Sequence, residues 1–177
     1  MDHPNPELIL RIGEPAPSFE LPDLDGVPHR LEAYRGRIVV LNFWSAECPW
    51  SERADRALQP LLEGWGSRVA LLTIASNANE PLELLRHTAE TRGLLRVLHD
   101  AHQEAADRYG AQTTPHLFVV DAHGLLRYQG AFDDVTFRRR TPTRNYLEEA
   151  VEALLPGRAP DPAQTPPYGC TIVRYAP

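Results

Sequence analysis

Lysine is absent from this 177-residue chain, so all 18 of its Lys and Arg positions are arginine. Schiff-base chemistry, which needs a lysine amine, is thereby excluded. Cysteine is scarce: Cys48 and Cys170 are the only two. They are too few for a disulfide scaffold, and in a reducing compartment they read either as a reactive thiol or as two buried thiols. Long apolar runs are missing as well. The longest useful one, Ile38 to Trp44, contains Asn42, whereas a membrane-spanning helix needs about 20 apolar residues. No membrane partner is expected. Basic residues fall short of acidic ones, 18 against 24. The resulting net charge of -6 repels phosphate, so no nucleic-acid partner is expected. The opening MDHPNPELILRIGEPAPSF has two acidic residues before its first arginine and no apolar run of signal-peptide length. It does not read as a secretory leader, and the expected location is the cytoplasm.

What is present suits one globular domain. The chain is 42% hydrophobic and 24% charged, ordinary values that argue against disorder of the whole. Its length is enough to bury roughly 70% of the unfolded surface. The first 36 residues are rich in Pro and Gly, and Asp25-Gly26 suggests a short hairpin. Arg37 to Trp44 reads as a central strand covered on both faces. A helix follows from Pro49, with Trp50, Ala54, Leu58, Leu61, Leu62 and Trp65 at helical spacing. Val69 to Ile74 is a second strand. Asn79 is a candidate cap for a helix ending at Gly93. Leu94 to Leu98 is a weaker strand, and Asp100 with Gln103 forms a capping-box pattern for a short helix. Leu117 to Val120 and Leu125 to Gln129 make a hairpin around Asp121 to Gly124. Leu147, Val151 and Leu154 mark a last helix.

Alternating strands and helices predict an α/β fold with three layers, α/β/α, around a central mixed sheet. Crossovers through helices are expected to give parallel neighbours, with an antiparallel edge from the final hairpin. Residues 1–155 are expected to form this domain, including the N-terminal hairpin. Residues 156–177 follow as a connector with five prolines in its first twelve positions, then an apolar tail that docks on the same body.

The strongest chemical signal is Phe43-Trp44-Ser45-Ala46-Glu47-Cys48-Pro49-Trp50-Ser51. A buried strand ends, a short turn follows, and a cysteine stands at a helix N-terminus. Unpaired amides and the helix dipole favour an anion there, which lowers a thiol pKa from about 8.5. The thiolate is the form that attacks disulfides and peroxides. Ser51, three residues on, is placed to offer its hydroxyl to the sulfur. Glu47 opposes ionisation unless its carboxylate faces solvent. The competing reading is an inert core thiol. A second signal is Thr113-Thr114-Pro115-His116 before an apolar strand. A proline cannot donate to the sheet ladder, and a cis Thr114–Pro115 bond would suit a tight turn at the strand start.

Together these segments resemble the thioredoxin superfamily, in particular its bacterial redoxin-type branch near the TlpA/ResA and AhpC/TSA (peroxiredoxin) groups. FWSAECPWS is similar to the family's strand–CxxC–helix element, TTPHLFVVD to its cis-proline loop, and GEPAPSFELPDLDG to the redoxin opening. The resemblance spans about residues 13–155. It implies a thioredoxin-like fold, with Cys48 as the attacking thiol, Pro115 beside it, and Thr114 offering backbone hydrogen bonds to substrate. Trp44 and Trp50 flank the cysteine as packing residues, and both are also candidates for a substrate-facing rim. Ser51 stands where the family has its second cysteine, giving CxxS. Asn42 replaces the buried aspartate of thioredoxins. Ser45 falls three before Cys48, as a Thr/Ser does in peroxiredoxins, but Leu41 stands in place of their proline and Pro115 in place of their arginine.

Gly169-Cys170-Thr171-Ile172 further resembles a subset of redoxin-like proteins that carry a C-terminal cysteine. Cys170 is therefore a candidate resolving thiol. A disulfide to Cys48 would stabilise the fold by about 5 kcal/mol in the chain-entropy picture. The alternative is a tail cysteine packed on the body or left exposed. No cofactor and no metal are expected, since His99 and His102 lack an adjacent thiol. His116 follows the proline, either near the site as a proton source or facing solvent. Arg138-Arg139-Arg140 reads as a solvated loop. The implied activity is thiol–disulfide exchange on a protein or small-molecule disulfide, with a thiol reductant as partner. The alternatives are a thiol peroxidase acting on peroxide and a binding module without turnover.

Overall fold

β-Branched and aromatic side chains dominate Ile38–Trp44, and all seven residues are buried. That segment becomes the middle strand because both of its faces are covered. The computed structural model describes residues 10–176; residues 1–9, where the reading of the leader falls, and Pro177 lie outside the described residues. A hairpin of β1 (Glu20–Pro22) and β2 (Pro28–Arg30) leads through a 3₁₀ turn to the central strand, β3 (Ile38–Trp44). Helix α1 (Pro49–Trp65) connects to β4 (Val69–Ala75), and α2 (Leu82–Arg92) to β5 (Val97–His99). Helix α3 (Glu104–Tyr109) precedes β6 (Thr113–Thr114) and β7 (His116–Val120). Then come β8 (Leu126–Gly130), α4 (Tyr146–Leu154) and the two-residue β9 (Cys170–Thr171).

Five strands form one sheet in the order β5-β4-β3-β7-β8. Strands β3, β4 and β5 are parallel, while β7 runs against β3 and β8 against β7. The expectation that every helical crossover returns the chain parallel fails at α3. Its six residues span only about 9 Å, against about 23 Å for the seven-residue strand β3. The chain leaves β5 where His99 pairs with Ala75, and β7 starts where His116 pairs with Phe43. Both points lie at the carboxyl end of β3 and β4. The chain never travels back along the sheet, so β7 must run the other way.

Alternation along β3 feeds two cores. Val39, Leu41 and Phe43 pack with Phe19 and Leu21 near the hairpin and with Tyr109 of α3. Ile38 and Val40 meet Leu58 of α1 and Leu147 and Val151 of α4. Trp44, on that second face, meets Leu85 and Ala89 of α2. The result is three layers, α/β/α, around a mixed sheet.

Two helix starts differ from the reading of the sequence. Helix α2 begins after Pro81 with no side-chain cap, so Asn79 does not serve it. Helix α3 begins after Gln103, a left-handed residue with φ 58°, and not as a capping box. Asp100 still supports that helix, accepting the amides of Ala105 and Ala106 at 3.2 and 2.9 Å. Gln103 instead gives its side-chain amide to the carbonyls of Ser76 and Val173, at 2.7 and 2.8 Å. Val173 belongs to the C-terminal tail, which pairs with β6 in the register Thr113↔Thr171 and Thr114↔Cys170. Ile172 of the tail is buried in the core beside Tyr109.

Candidate active site

Strand β3 delivers the chain to a three-residue turn, and Cys48 then becomes the N-cap of α1 with extended backbone, φ -84° and ψ 119°. Pro49 opens the helix at no cost in hydrogen bonds, since its missing N–H would have had no intrahelical partner. Cys48 is 3% exposed. Its Sγ lies 2.8 Å from Cys170 Sγ and 3.1 Å from the carbonyl oxygen of Thr114, and both cysteines are free thiols.

Burial opposes ionisation of Cys48, but hydrogen bonding outweighs it. The donors are the Cys170 thiol, the Thr114 hydroxyl and the backbone amides of Ser51 and Cys170, and together they hold Cys48 below the free-thiol range. The Thr114 hydroxyl is buried and unpartnered while the thiol is neutral, so it is free to turn to the sulfur on ionisation. Burial pushes Cys170 upward, and the neighbouring Cys48 reinforces the shift. Of the two thiols, Cys48 is therefore the one favoured to ionise first. Glu47 is exposed, so its charge is spent in solvent.

The structure brings Cys48, Cys170, Thr114 and Pro115 together. The Thr114–Pro115 bond is cis, and Pro115 lines a shallow recess with Trp50, Arg53, Asp133 and Tyr168. Three readings need correction. Ser51 is fully buried, and its hydroxyl accepts the amide of Ser45 at 3.2 Å; the sulfur receives the Ser51 backbone N–H instead. Trp44 is fully buried and donates its indole N–H to Asp55 at 2.8 Å, so it does not face substrate; Trp50, stacked edge-on against Tyr168, occupies the rim. Thr114 does not leave its backbone open to a substrate, because Cys170 of the same chain pairs with it.

Sequence reasoning missed the supports of this loop. Glu80 is a buried carboxylate that accepts the Ser45 hydroxyl at 3.0 Å and the Glu47 amide at 3.1 Å. Its other oxygen accepts from Asn77 Nδ2 at 2.8 Å, and Asn77 Oδ1 accepts the amide of Val173. One carboxylate thus ties the turn before Cys48 to the tail. Glu80 sits in an aperiodic Asn-Glu-Pro stretch, which carries no local signal. Asp55 bonds Arg92 at 3.0 Å as well as Trp44, and Arg92 reaches the Ala46 carbonyl at 2.8 Å. Burial raises the Asp55 pKa despite Trp44 and Arg92. Its signal was available: an acid four residues after Ser51, inside the buried stripe of α1. Asn42 keeps both amide atoms buried without a partner. Among the described residues, no three His, Cys, Asp or Glu side chains cluster as metal ligands.

His116 neither faces solvent nor bonds either sulfur. It is buried, its ring lies 4.5 Å from that of Phe118, and Nδ1 accepts the Gln112 amide at 3.1 Å. Burial lowers its pKa from 6.5 to about 4. The unfolded chain therefore binds the extra proton first, and stability present above pH 6.5 is lost as the pH falls toward 4. At 1.36 kcal/mol per unit, the loss is about 3 kcal/mol. Urea unfolding at neutral pH and near pH 4 checks this. His116→Gln, which keeps an acceptor for Gln112, is expected to remove most of that pH-dependent loss. An unchanged difference between the two pH values would refute the assignment.

Comparison with known proteins places this geometry among redox relatives. The chain is 33% identical over 151 residues to the thiol-disulfide oxidoreductase ResA of Geobacillus kaustophilus, covering 83% of this chain and 80% of that protein. It superposes on the crystal structure of a hypothetical protein from Sinorhizobium meliloti with a TM-score of 0.86 at 30% identity, covering 95% of this chain and 97% of the other. The thioredoxin domain of a thiol-disulfide oxidoreductase from Bacteroides vulgatus shares the fold, with a TM-score of 0.62 at 18% identity over 74% of this chain and 93% of that one. The fold is thus thioredoxin-like. The AhpC/TSA family model matches residues 12–129, two-thirds of the sequence, and this chain belongs to the AhpC/TSA family.

Proposed function

We propose that this protein is a thiol–disulfide oxidoreductase, with Cys48 as the attacking sulfur and Cys170 as the resolving one. The observation that carries this reading is the 2.8 Å approach of two free thiols separated by 122 positions, one of them at a helix N-terminus. The Cys48 thiolate attacks one sulfur of a substrate disulfide and expels the other as a thiolate, leaving a mixed disulfide. Cys170 loses its proton and attacks Cys48 Sγ. The second substrate thiolate departs, and a Cys48–Cys170 disulfide remains. The substrate has gained two electrons and the protein has lost them, and an external thiol reductant resets the pair.

Peroxide chemistry draws less support from the same site. Ser45 has the spacing of a peroxidase hydroxyl, but it donates to Glu80. No arginine side chain bonds either sulfur among the described residues, so a developing oxyanion would lack that donor.

The test is to mix reduced protein with cystamine and map its thiols by mass spectrometry. Two equivalents of thiol should be released per chain, and one peptide pair should be linked through Cys48 and Cys170. A lasting adduct on Cys48, with Cys170 still open to alkylation, would remove Cys170 from the mechanism.

A further inference from the structure

We infer that the loop of residues 133–144, between β8 and α4, selects the substrate: Arg138 and Arg140, beside the exposed ring of Phe137, dock polypeptides whose disulfide lies in an acidic segment. This rests on the proposed disulfide exchange at Cys48 and names the class of substrate that the exchange serves. The loop stands at the rim of the site. The Phe137 amide donates to the Tyr168 hydroxyl, and the Tyr168 ring meets Trp50 edge-on, with 5.1 Å between centroids. Trp50 follows Cys48 by two positions, and Tyr168 precedes Cys170 by two. Asp133 and Val135, at the start of the loop, line the Pro115 recess together with both aromatics.

The acids around this rim are already matched. Asp133 pairs with Arg53, Asp134 with Arg139 at 3.6 Å, and Glu149 with Arg144 at 2.9 Å. Glu52, in the first turn of α1, pairs with Arg56. Arg138 and Arg140 are exposed and, among the described residues, their side chains make no ion pair and no hydrogen bond. Two uncommitted guanidinium groups therefore stand at the rim of a chain whose net charge is -6. Against them, Glu47 beside Cys48 is a single exposed carboxylate. Guanidinium groups match carboxylates through a planar, two-pronged fork, so an acidic segment is the complementary partner. Their field acts during encounter, before either sulfur is reached, so it works however the buried Cys48 becomes accessible.

A polypeptide fits this surface better than a small anion. The recess beside Pro115 holds only about 10 Å³, so a small disulfide has no pocket to fill there. A partner must gain its contacts outside the recess. Phe137 is 75% exposed, and an aromatic ring flanked by arginines is the composition enriched where proteins meet. The Thr114 edge is taken by Cys170 of the same chain, so side chains laid across the rim and the loop hold the partner in place of strand pairing.

The experiment uses reduced full-length protein and two synthetic peptide disulfides of equal length, one with glutamates and one with glutamines on both sides of its cysteine. Oxidation is followed by thiol release. At roughly 20 mM salt the acidic peptide is expected to react at least about fivefold faster, and the advantage should vanish at roughly 500 mM, where charges are screened within a few Å. In Arg138→Ser/Arg140→Ser the ratio of the two rates should fall to about one. Both side chains are exposed, so this variant is expected to fold as the wild type does. Equal rates in the wild type, or a ratio that survives in the double variant, overturn the inference while disulfide exchange itself stands. Dithiodipropionate and hydroxyethyl disulfide, one anionic and one neutral, form a small-molecule arm. An equally large preference within that pair would assign the arginines to small anions and overturn the polypeptide reading. If neither the peptides nor cystamine oxidise the protein, the proposed function falls and the inference falls with it.

Discussion

Cys48→Ser is expected to abolish disulfide reduction, lowering turnover by on the order of 10³-fold or more. A serine hydroxyl does not ionise near neutral pH, so the donors around this position would have no anion to stabilise and no nucleophile to present. The change is nearly isosteric, and the sulfur's contacts are few: Cys170, Thr114 and the Ser51 amide. Thermal unfolding should therefore shift little, which separates loss of chemistry from loss of fold. Cys170→Ser is expected to behave differently. Its Cys48 should still attack cystamine, release one thiol and stop as a stable mixed disulfide. Thiol release measured over the first turnover distinguishes the two variants. Wild-type turnover in Cys48→Ser would leave the site with binding and no redox chemistry.

Gly169→Ala is expected to detach the tail from the site. A Cβ at this position would lie 2.1 Å from the Thr114 carbonyl oxygen and 2.7 Å from its carbonyl carbon. Both are backbone atoms next to Pro115, and they cannot rotate aside as a flexible side chain could. The tail must lift instead, breaking the Thr114↔Cys170 pairing. Formation of the Cys48–Cys170 disulfide should then slow by about tenfold or more, and overpacking should cost about 1–3 kcal/mol of stability. Alkylation of Cys48 should accelerate by a similar factor when measured near pH 9, where the thiolate fraction is not limiting. Gly64→Ala serves as the control. Its added Cβ meets nothing within 4 Å, and in helix α1 alanine is the better helix former. Equal behaviour of the two variants would show that the tail does not depend on close contact at Gly169.

The two chemical segments were legible because each is local. A seven-residue apolar strand, a turn and a proline-started helix put Cys48 at a helix N-terminus through nearest-neighbour geometry. A proline immediately before an apolar strand marked the Thr114–Pro115 turn in the same way. Ser51 was misread because both its hydroxyl and its amide can reach the cysteine's surroundings, and only packing decides which does. Trp44 is the packing residue one of its two readings made it, and its rim reading failed because nearness to Cys48 in sequence does not fix its side of the sheet. Alternation sent it inward, onto Asp55, Leu85 and Ala89.

The amino-acid order by itself determined the strand–turn–helix around Cys48, the alternation that makes an α/β fold, and the presence of one other thiol. Those features follow from residue spacing over a few positions. Only the tertiary structure decided that Cys170 meets Cys48, that β7 runs against β3, and that Glu80 braces the turn. Each joins parts of the chain far apart in sequence, and such contacts are chosen by how the whole body closes, which no local pattern encodes.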